Sequence, residues 1–204
     1  MKKMMMLAFT LVLGINAMAQ EVKLPAPDKK VSTTLFEALQ NRKSVRDFTA
    51  KELTEAQLSN LLWATIGVNR EDGRMVAPTA MNRQEVSVYV ATKDGTCLYN
   101  PKSHSLTVVN KEDIRPALTG QQKSVANAPI FLVIVSDASK FGNGNGYAEL
   151  DAGYVSQNIC LAAAAMGLGT VPRAMMDRDA VKKALNLGER QLVVLNHPVG
   201  YPNE

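Results

Sequence analysis

The chain has 204 residues, 46% of them hydrophobic and 21% charged, with a formal net charge of +4. That suffices for one domain with a sizeable core, and basic residues interleaved with acidic ones describe a solvated surface and no nucleic-acid face. With two cysteines (Cys97, Cys160), two histidines (His104, His197) and no C-x-x-C, a His/Cys metal site is not expected and two free thiols are.

At the start of the chain, Lys2 and Lys3 lead into an apolar run from Met4 to Ile15, closed by Ala17-Met18-Ala19. This is the pattern of a secretory signal peptide over residues 1–19. The run is too short for a membrane span, and position 20 is Gln, so no lipidated cysteine follows. The expectation is an exported protein, periplasmic or secreted, without stable membrane insertion. Loss of Lys2 and Lys3 takes the basic residues from 23 to 21 against 19 acidic ones and leaves a net charge of +2. Residues 20–31, with Pro25 and Pro27, read as a polar, extended and weakly ordered leader, and residues 32–204 as a single domain.

Ser32, Thr33 or Thr34 can cap a first helix, and Leu35, Phe36 and Leu39 form an apolar stripe expected to face the core. Where that helix gives out stands Arg42-Lys43-Ser44-Val45-Arg46-Asp47-Phe48. Such a cluster suits an anion, because guanidinium forks onto phosphate oxygens and serine donates one more hydrogen bond. Cations at a helix C-terminus also simply complement the macrodipole, and composition alone favours that second reading.

Thr54 with Gln57 three residues later is a capping box. Leu58, Leu61, Leu62 and Ile66 then make the buried stripe of a second helix ending at Gly67. Residues 68–83 have no period, and so long an irregular segment points to a binding loop. Val86, Val88 and Val90 alternate with Ser87, Tyr89 and Ala91, a strand with one buried face. Asp94-Gly95 signals a hairpin returning through Tyr99, and Asn100-Pro101 turns the chain into Ser105 to Val109, giving an antiparallel meander.

A short helix is expected over Lys111 to Leu118, then a second helical stretch to Asn127. Ile130 to Val135 has no polar member, so it should be a central strand buried on both faces. Gly142-Asn143-Gly144-Asn145-Gly146 opens a long Ala-rich helix from Tyr147 to Met166, apolar nearly all round and therefore core or subunit interface. A helix over Asp177 to Leu185 and a strand over Gln191 to Leu195 close the chain. Helices and hairpins interleave without regular strand-helix alternation, which predicts an α+β domain.

There is no G-x-S-x-G to support serine-hydrolase chemistry. The glycines of the 142–146 loop are spaced G-x-G-x-G and follow their strand after a gap, unlike a dinucleotide fingerprint, so the stretch reads as a mobile surface loop. Glu149 and Asp151 stand two apart on a helix and point to different faces. Ala77-Pro78-Thr79-Ala80-Met81-Asn82-Arg83-Gln84 places two amide side chains, Asn82 and Gln84, in irregular backbone just before a strand. Such groups suit the edge of a planar heterocycle, but for this segment alone turn chemistry is the favoured reading.

Four segments together resemble one family, the nitroreductase-like FMN oxidoreductases. R-K-S-V-R-D-F resembles their R-x-S-x-R clamp, P-T-A-M-N-R-Q their P-S-x-x-N-x-Q segment, and G-L-G-T-V-P-R-A-M, from Gly167 to Met175, their Gly-Leu-x-x-x-Pro run. His197-Pro198-Val199-Gly200-Tyr201-Pro202 resembles their closing strand and V-G-Y-P turn. The long helix carries Gln157-Asn158, a pair common in that family.

The resemblance implies an α+β fold with a central, mainly antiparallel sheet flanked by helices, dimeric, with FMN as cofactor. It would put Arg42, Lys43 and Ser44 on the FMN phosphate and ribityl chain and Arg46 on the pyrimidine edge. Pro78, Thr79, Asn82 and Gln84 would approach the same cofactor, typically from the partner subunit of a homodimer. Pro172, Arg173, Ala174 and Met175 would line the ring, with a backbone N–H near Ala174 directed at N5, and Gln121 is a further candidate contact. Family members usually continue past V-G-Y-P to basic residues that hold the phosphate, whereas Asn203 and Glu204 follow here, a departure from the family pattern that leaves the strength of FMN binding open.

The function so implied is an FMN-dependent oxidoreductase exchanging hydride or electrons between a small-molecule donor and an acceptor such as a nitroaromatic or a quinone. No catalytic side-chain acid or base is assigned, because the flavin carries the chemistry. Two alternatives stand beside it: a flavin-dependent dehydrogenase of azoline type, and an exported binding protein that kept the fold without flavin.

Overall fold

Seven strands form one antiparallel sheet in the computed structural model, which describes residues 21–142, 144 and 146–203. They are β1 (Glu21–Lys23), β2 (Val86–Thr92), β3 (Gly95–Asn100), β4 (Ser105–Asn110), β5 (Ile130–Asp137), β6 (Gly169–Thr170) and β7 (Gln191–Gly200). Their spatial order is β1-β4-β3-β2-β5-β7-β6. The helices are α1 (Leu35–Asn41), α2 (Glu55–Ile66), α3 (Arg115–Thr119), α4 (Ala148–Ala165) and α5 (Arg178–Ala184). The α+β expectation stands. The signal-peptide reading of residues 1–19, and Asn143 and Asn145 of the glycine loop, lie outside the described residues; Arg190 donates to the carbonyls of Gly142 and Gly144 beside them.

β5 is central and buried along Ile130–Ser136, as its wholly apolar run predicts. It divides the interior into two layers. On one face Leu61, Leu62 and Ile66 of α2 and Val155 and Ile159 of α4 pack with Leu132 and Ile134. On the other, Phe131 and Val133 pack with Leu118 of α3, Val181 of α5 and Phe48. Each fully buried aliphatic side chain stabilises the fold by roughly 1.5–3 kcal/mol.

Several local expectations are corrected by tertiary context. The expected single buried face of β2 is in fact two, because Val88 and Val90 enter the first layer while Tyr89 and Ala91 enter the second. In the β2–β3 hairpin Thr92 pairs with Gly95, so the two-residue turn is Lys93-Asp94 and Gly95 opens the strand. α3 starts later than its periodicity suggests: Asp113 accepts from the Arg115 N–H at 3.0 Å, and Pro116 sits in the first turn. Past it, the expected helical stretch to Asn127 is a single 3-10 turn, Lys123–Val125. β7 runs five residues beyond Leu195, and Pro198, which has no N–H for the ladder, has its carbonyl met by the Thr170 hydroxyl at 2.8 Å.

The leader is not featureless, since Glu21–Lys23 pairs with β4 and the Leu24 N–H donates to the His104 carbonyl at 3.1 Å. The largest correction concerns α1. Thr34 closes a capping box with Glu37 as the local sequence allows, yet Leu35 is 61% and Phe36 81% exposed, and among the residues of α1 only Ala38 is buried. Its apolar stripe faces outward.

Both cysteines are free thiols. Among the described residues no group of three or more His, Cys, Asp or Glu could hold a metal ion, and no helix is long and apolar enough to cross a membrane.

Candidate functional site

α1 ends at Arg42, whose backbone turns extended (φ −60°, ψ 118°) after its N–H bonds the Ala38 carbonyl at 2.9 Å. No basic residue lies in the last helical turn, so Arg42 and Lys43 stand beyond it, and complementing the macrodipole explains them poorly. The chain is then pinned at three places. Ser44 bridges Thr170 of β6, with the Val45 N–H on the Thr170 carbonyl at 3.0 Å. Phe48 is buried in the core, and the backbone of Asp47 and Thr49 bonds Asn203 and Tyr201 at 3.1 and 2.9 Å. Between these pins Arg42, Lys43, Ser44 and Arg46 stay exposed. None of the ion pairs among the described residues uses Arg42, Lys43 or Arg46.

Two glycines make this arrangement possible. Gly167 takes φ 67° just past α4 and lets the Leu168 N–H turn back to the Ala163 carbonyl at 2.8 Å. At Gly169 a Cβ would lie only 2.7 Å from Val45 Cγ1, so β6 can approach the clamp strand only without a side chain there. Arg42 and Lys43 thereby rim a cleft of about 260 Å³ whose floor includes Cys160, Ala164, Leu168 and Thr170. Burial pushes the Cys160 thiol up, and the positive charge of Arg42 pulls it partly back, which places that charge over the cleft floor.

A second wall, outside the lining of that cleft, is the segment Pro172–Met175 that follows β6. Arg173 and Asn196 of β7 exchange backbone hydrogen bonds at 2.9 and 2.8 Å, and the Asn196 side chain donates to the Met175 carbonyl at 3.1 Å. Pro172, Ala174 and Met175 are exposed, whereas Arg173 is buried. Its guanidinium points inward, to the carbonyls of Leu118 and Thr119 at 2.8 and 2.9 Å, Asn196 Oδ1 at 3.0 Å and Gln122 Oε1 at 2.8 Å. Arg173 therefore contributes to the wall through its backbone, and its side chain is not a ligand as expected but the bolt that fixes it. Burial, and next the charge of Arg46, lowers the Arg173 guanidinium below its ordinary range, which sets Arg46 beside this wall. Gln121 is exposed beside Gly120, where a Cβ would come within 4.0 Å of Met175 Cγ.

The third segment stands apart. Met81, Asn82 and Gln84 all have left-handed backbone, with φ of 53°, 53° and 50°. Non-glycine residues adopt this at a cost of order 1–3 kcal/mol each and concentrate at functional sites. Pro78 and Asn82 are exposed. Thr79 Oγ1 accepts from the Gln84 N–H at 2.9 Å, and Gln84 Nε2 donates to the Gly73 carbonyl at 3.0 Å and to Asn82 Oδ1 at 3.3 Å. The Ala80 N–H donates to Asp151 Oδ2 in the first turn of α4 at 2.8 Å. Cys160, in the clamp cleft, lies nine residues further along that helix, roughly 14 Å at the usual rise. One chain thus brings Arg42, Lys43, Ser44, Arg46, Gln121 and Pro172–Met175 to one side, and Pro78, Thr79, Asn82 and Gln84 to another.

His197 has no solvent contact. Its Nε2 meets Ser156 Oγ at 2.8 Å and its Nδ1 meets Thr170 Oγ1 at 3.3 Å, and burial pushes it down to about 3, so it is neutral and structural. Sequence reasoning missed Thr170, Asn196 and Gln122 as supports of the two walls, and Glu85 and Asp151 behind the third segment. A threonine or asparagine in a strand carries no signal of its distant partner.

The chain matches the Nitroreductase family over residues 39–201. A provisionally named nitroreductase of Methanocaldococcus jannaschii is 30% identical over 194 residues, covering 88% of this chain and 96% of that protein. A protein of Methanothermobacter thermautotrophicus, provisionally named NADH dehydrogenase/NAD(P)H nitroreductase, is 26% identical over 184 residues, 87% of this chain and 82% of its own. A crystal structure from Ralstonia eutropha JMP134, again with a provisional nitroreductase name, superposes with a TM-score of 0.83 at 32% identity over 90% of each chain.

Proposed function

We propose, from the premise that this chain belongs to the Nitroreductase family and is an oxidoreductase of that kind, that it works through bound FMN as a homodimer. The observation that carries this is Arg42 and Lys43 at the rim of an apolar-floored cleft and Arg46 exposed beside the Pro172–Met175 wall, none of the three paired with a carboxylate among the described residues. A dianionic phosphate at the end of a chain borne by a planar ring fits that donor set, because guanidinium forks match phosphate oxygens.

FMN would supply hydride and electron transfer between a nicotinamide donor and a small conjugated acceptor such as a nitroaromatic or a quinone. The name of the Methanothermobacter relative supports the choice of donor. The chain's own residues bind and orient. Arg42, Lys43 and Ser44 hold the phosphate end, and Arg46 meets the pyrimidine edge, where it stabilises negative charge. Pro172, Ala174 and Met175 close the ring's side against water, kept in place by the inward Arg173. Asn82 and Gln84, far from the clamp of their own chain, approach the cofactor held by the other subunit. The outward stripe of α1 supports such a subunit contact, as do Leu150 and Tyr154, 54% and 43% exposed on α4.

Residues 20–204, reconstituted with FMN and desalted, should show the visible spectrum of bound oxidised flavin at about one equivalent per chain. Arg46→Ala should weaken retention by about ten- to a hundredfold, the worth of a hydrogen bond from a charged group. A colourless wild-type protein would move the weight to a flavin-free binding role.

A further inference from the structure

Glu85, at the entry to β2, is 1% exposed, and among the described residues no donor reaches either of its carboxyl oxygens. A buried polar group left this way is costly. Its neighbour from α4 is Asp151, itself 2% exposed, one of whose oxygens accepts the Ala80 N–H. From the turn after β5 comes Lys140, whose ammonium is occupied by the Gln84 carbonyl at 2.6 Å. From β5 itself, Asp137 donates its N–H to the Glu85 carbonyl at 3.0 Å while its carboxylate accepts from Ser139. Arg83, the nearest cation in sequence, faces solvent. Among the described residues Glu85 therefore meets one buried carboxylate at close range and no free cation.

Two carboxylates cannot both be ionised side by side in a dry interior, so one keeps its proton. We propose that Glu85 is a positioning residue: it retains a proton, donates it to the Asp151 carboxylate, and so locks the left-handed segment Met81–Gln84 in the shape that presents Asn82 and Gln84. Both ends of the segment, Ala80 and Glu85, are then tied to a single side chain of α4. Burial first, and Asp151 after it, raise Glu85 to about 7. Above neutrality the tie turns into repulsion, and the three left-handed residues relax. Only the consequence for flavin rests on the cofactor reading; the tie itself does not.

Hydrogen exchange by mass spectrometry on the full chain without added flavin, normalised to the intrinsic rate at each pH, tests it. Protection of the amides of residues 80–84 should be constant below about pH 6 and fall about tenfold per unit above about pH 7, as one proton is lost. Glu85→Gln, whose amide donates to Asp151 without titrating, should hold protection flat across the range. Flat protection in the wild type, or the same fall in Glu85→Gln, would overturn the proposal. Should that variant not fold, a carbon-13 titration of the Glu85 carboxyl in the wild type decides, a midpoint at its ordinary 4.5 being fatal. A fall in protection that leaves FMN retention unchanged confirms the tie and removes Asn82 and Gln84 from the flavin site.

Discussion

A single missing side chain governs how the clamp meets the sheet. Gly169→Ala puts a methyl 2.7 Å from Val45 Cγ1, and the overlap should destabilise the protein by roughly 1–3 kcal/mol while pushing Ser44 off Thr170. Val45→Gly in the same chain, which removes Cγ1, Cβ and Cγ2 together, restores the space. A urea-unfolding double-mutant cycle reads the coupling, and strict additivity of the two substitutions would defeat the explanation. The R-K-S-V-R and G-L-G-T stretches were both legible in the sequence, but their contact was not, because the two lie more than a hundred residues apart. Arg173 shows the same limit. In sequence it is one more cation in a binding segment, and only the fold brings the carbonyls of Leu118 and Thr119 to its guanidinium.

At the scale of elements, what was legible was local. The capping box of α2 is written within four residues, and Thr54 closes it with Gln57 as read; for α1, where Ser32, Thr33 and Thr34 all stood open, Thr34 is the cap and Glu37 completes its box. The apolar run of β5 announced a strand covered on both faces, since six residues without a polar member leave neither face of a strand for water. The α1 stripe was legible as a stripe, but periodicity does not say whether a chain's own core or another surface covers it. Phe36 at 81% exposure argues for the second. Light scattering should find the wild type dimeric, and Phe36→Asp should weaken the dimer by tenfold or more, about 1.4 kcal/mol. An unchanged dimer would place the seam elsewhere.

The whole molecule carries two buried titratable groups with opposite pH demands. His197 is held at about 3 against its ordinary 6.5, so the unfolded chain binds the extra proton and stability falls as pH drops from about 6.5 towards 3. Glu85 is raised from 4.5 to about 7, so the folded chain holds the extra proton and stability falls as pH rises across that window. The two slopes cancel where they overlap, leaving a plateau between about 4.5 and 6.5. Urea midpoints across the pH range should trace it, and Glu85→Gln should turn the plateau into a continued rise of about 1.4 kcal/mol per unit. A plateau that survives that substitution would mean Glu85 does not set it. The α+β class was legible from the interleaved hairpins and helices; these opposed titrations were not, because they depend on which polar groups the finished interior encloses.

The strand order sets β1 at one end of the sheet and β6, with the cleft's Thr170, at the other, six strand spacings or roughly 29 Å away. A linker attached ahead of Glu21 would therefore leave from the edge remote from the cleft, so the protein could be grafted onto a bead or an electrode with the cleft rimmed by Arg42 and Lys43 turned to the bulk solution.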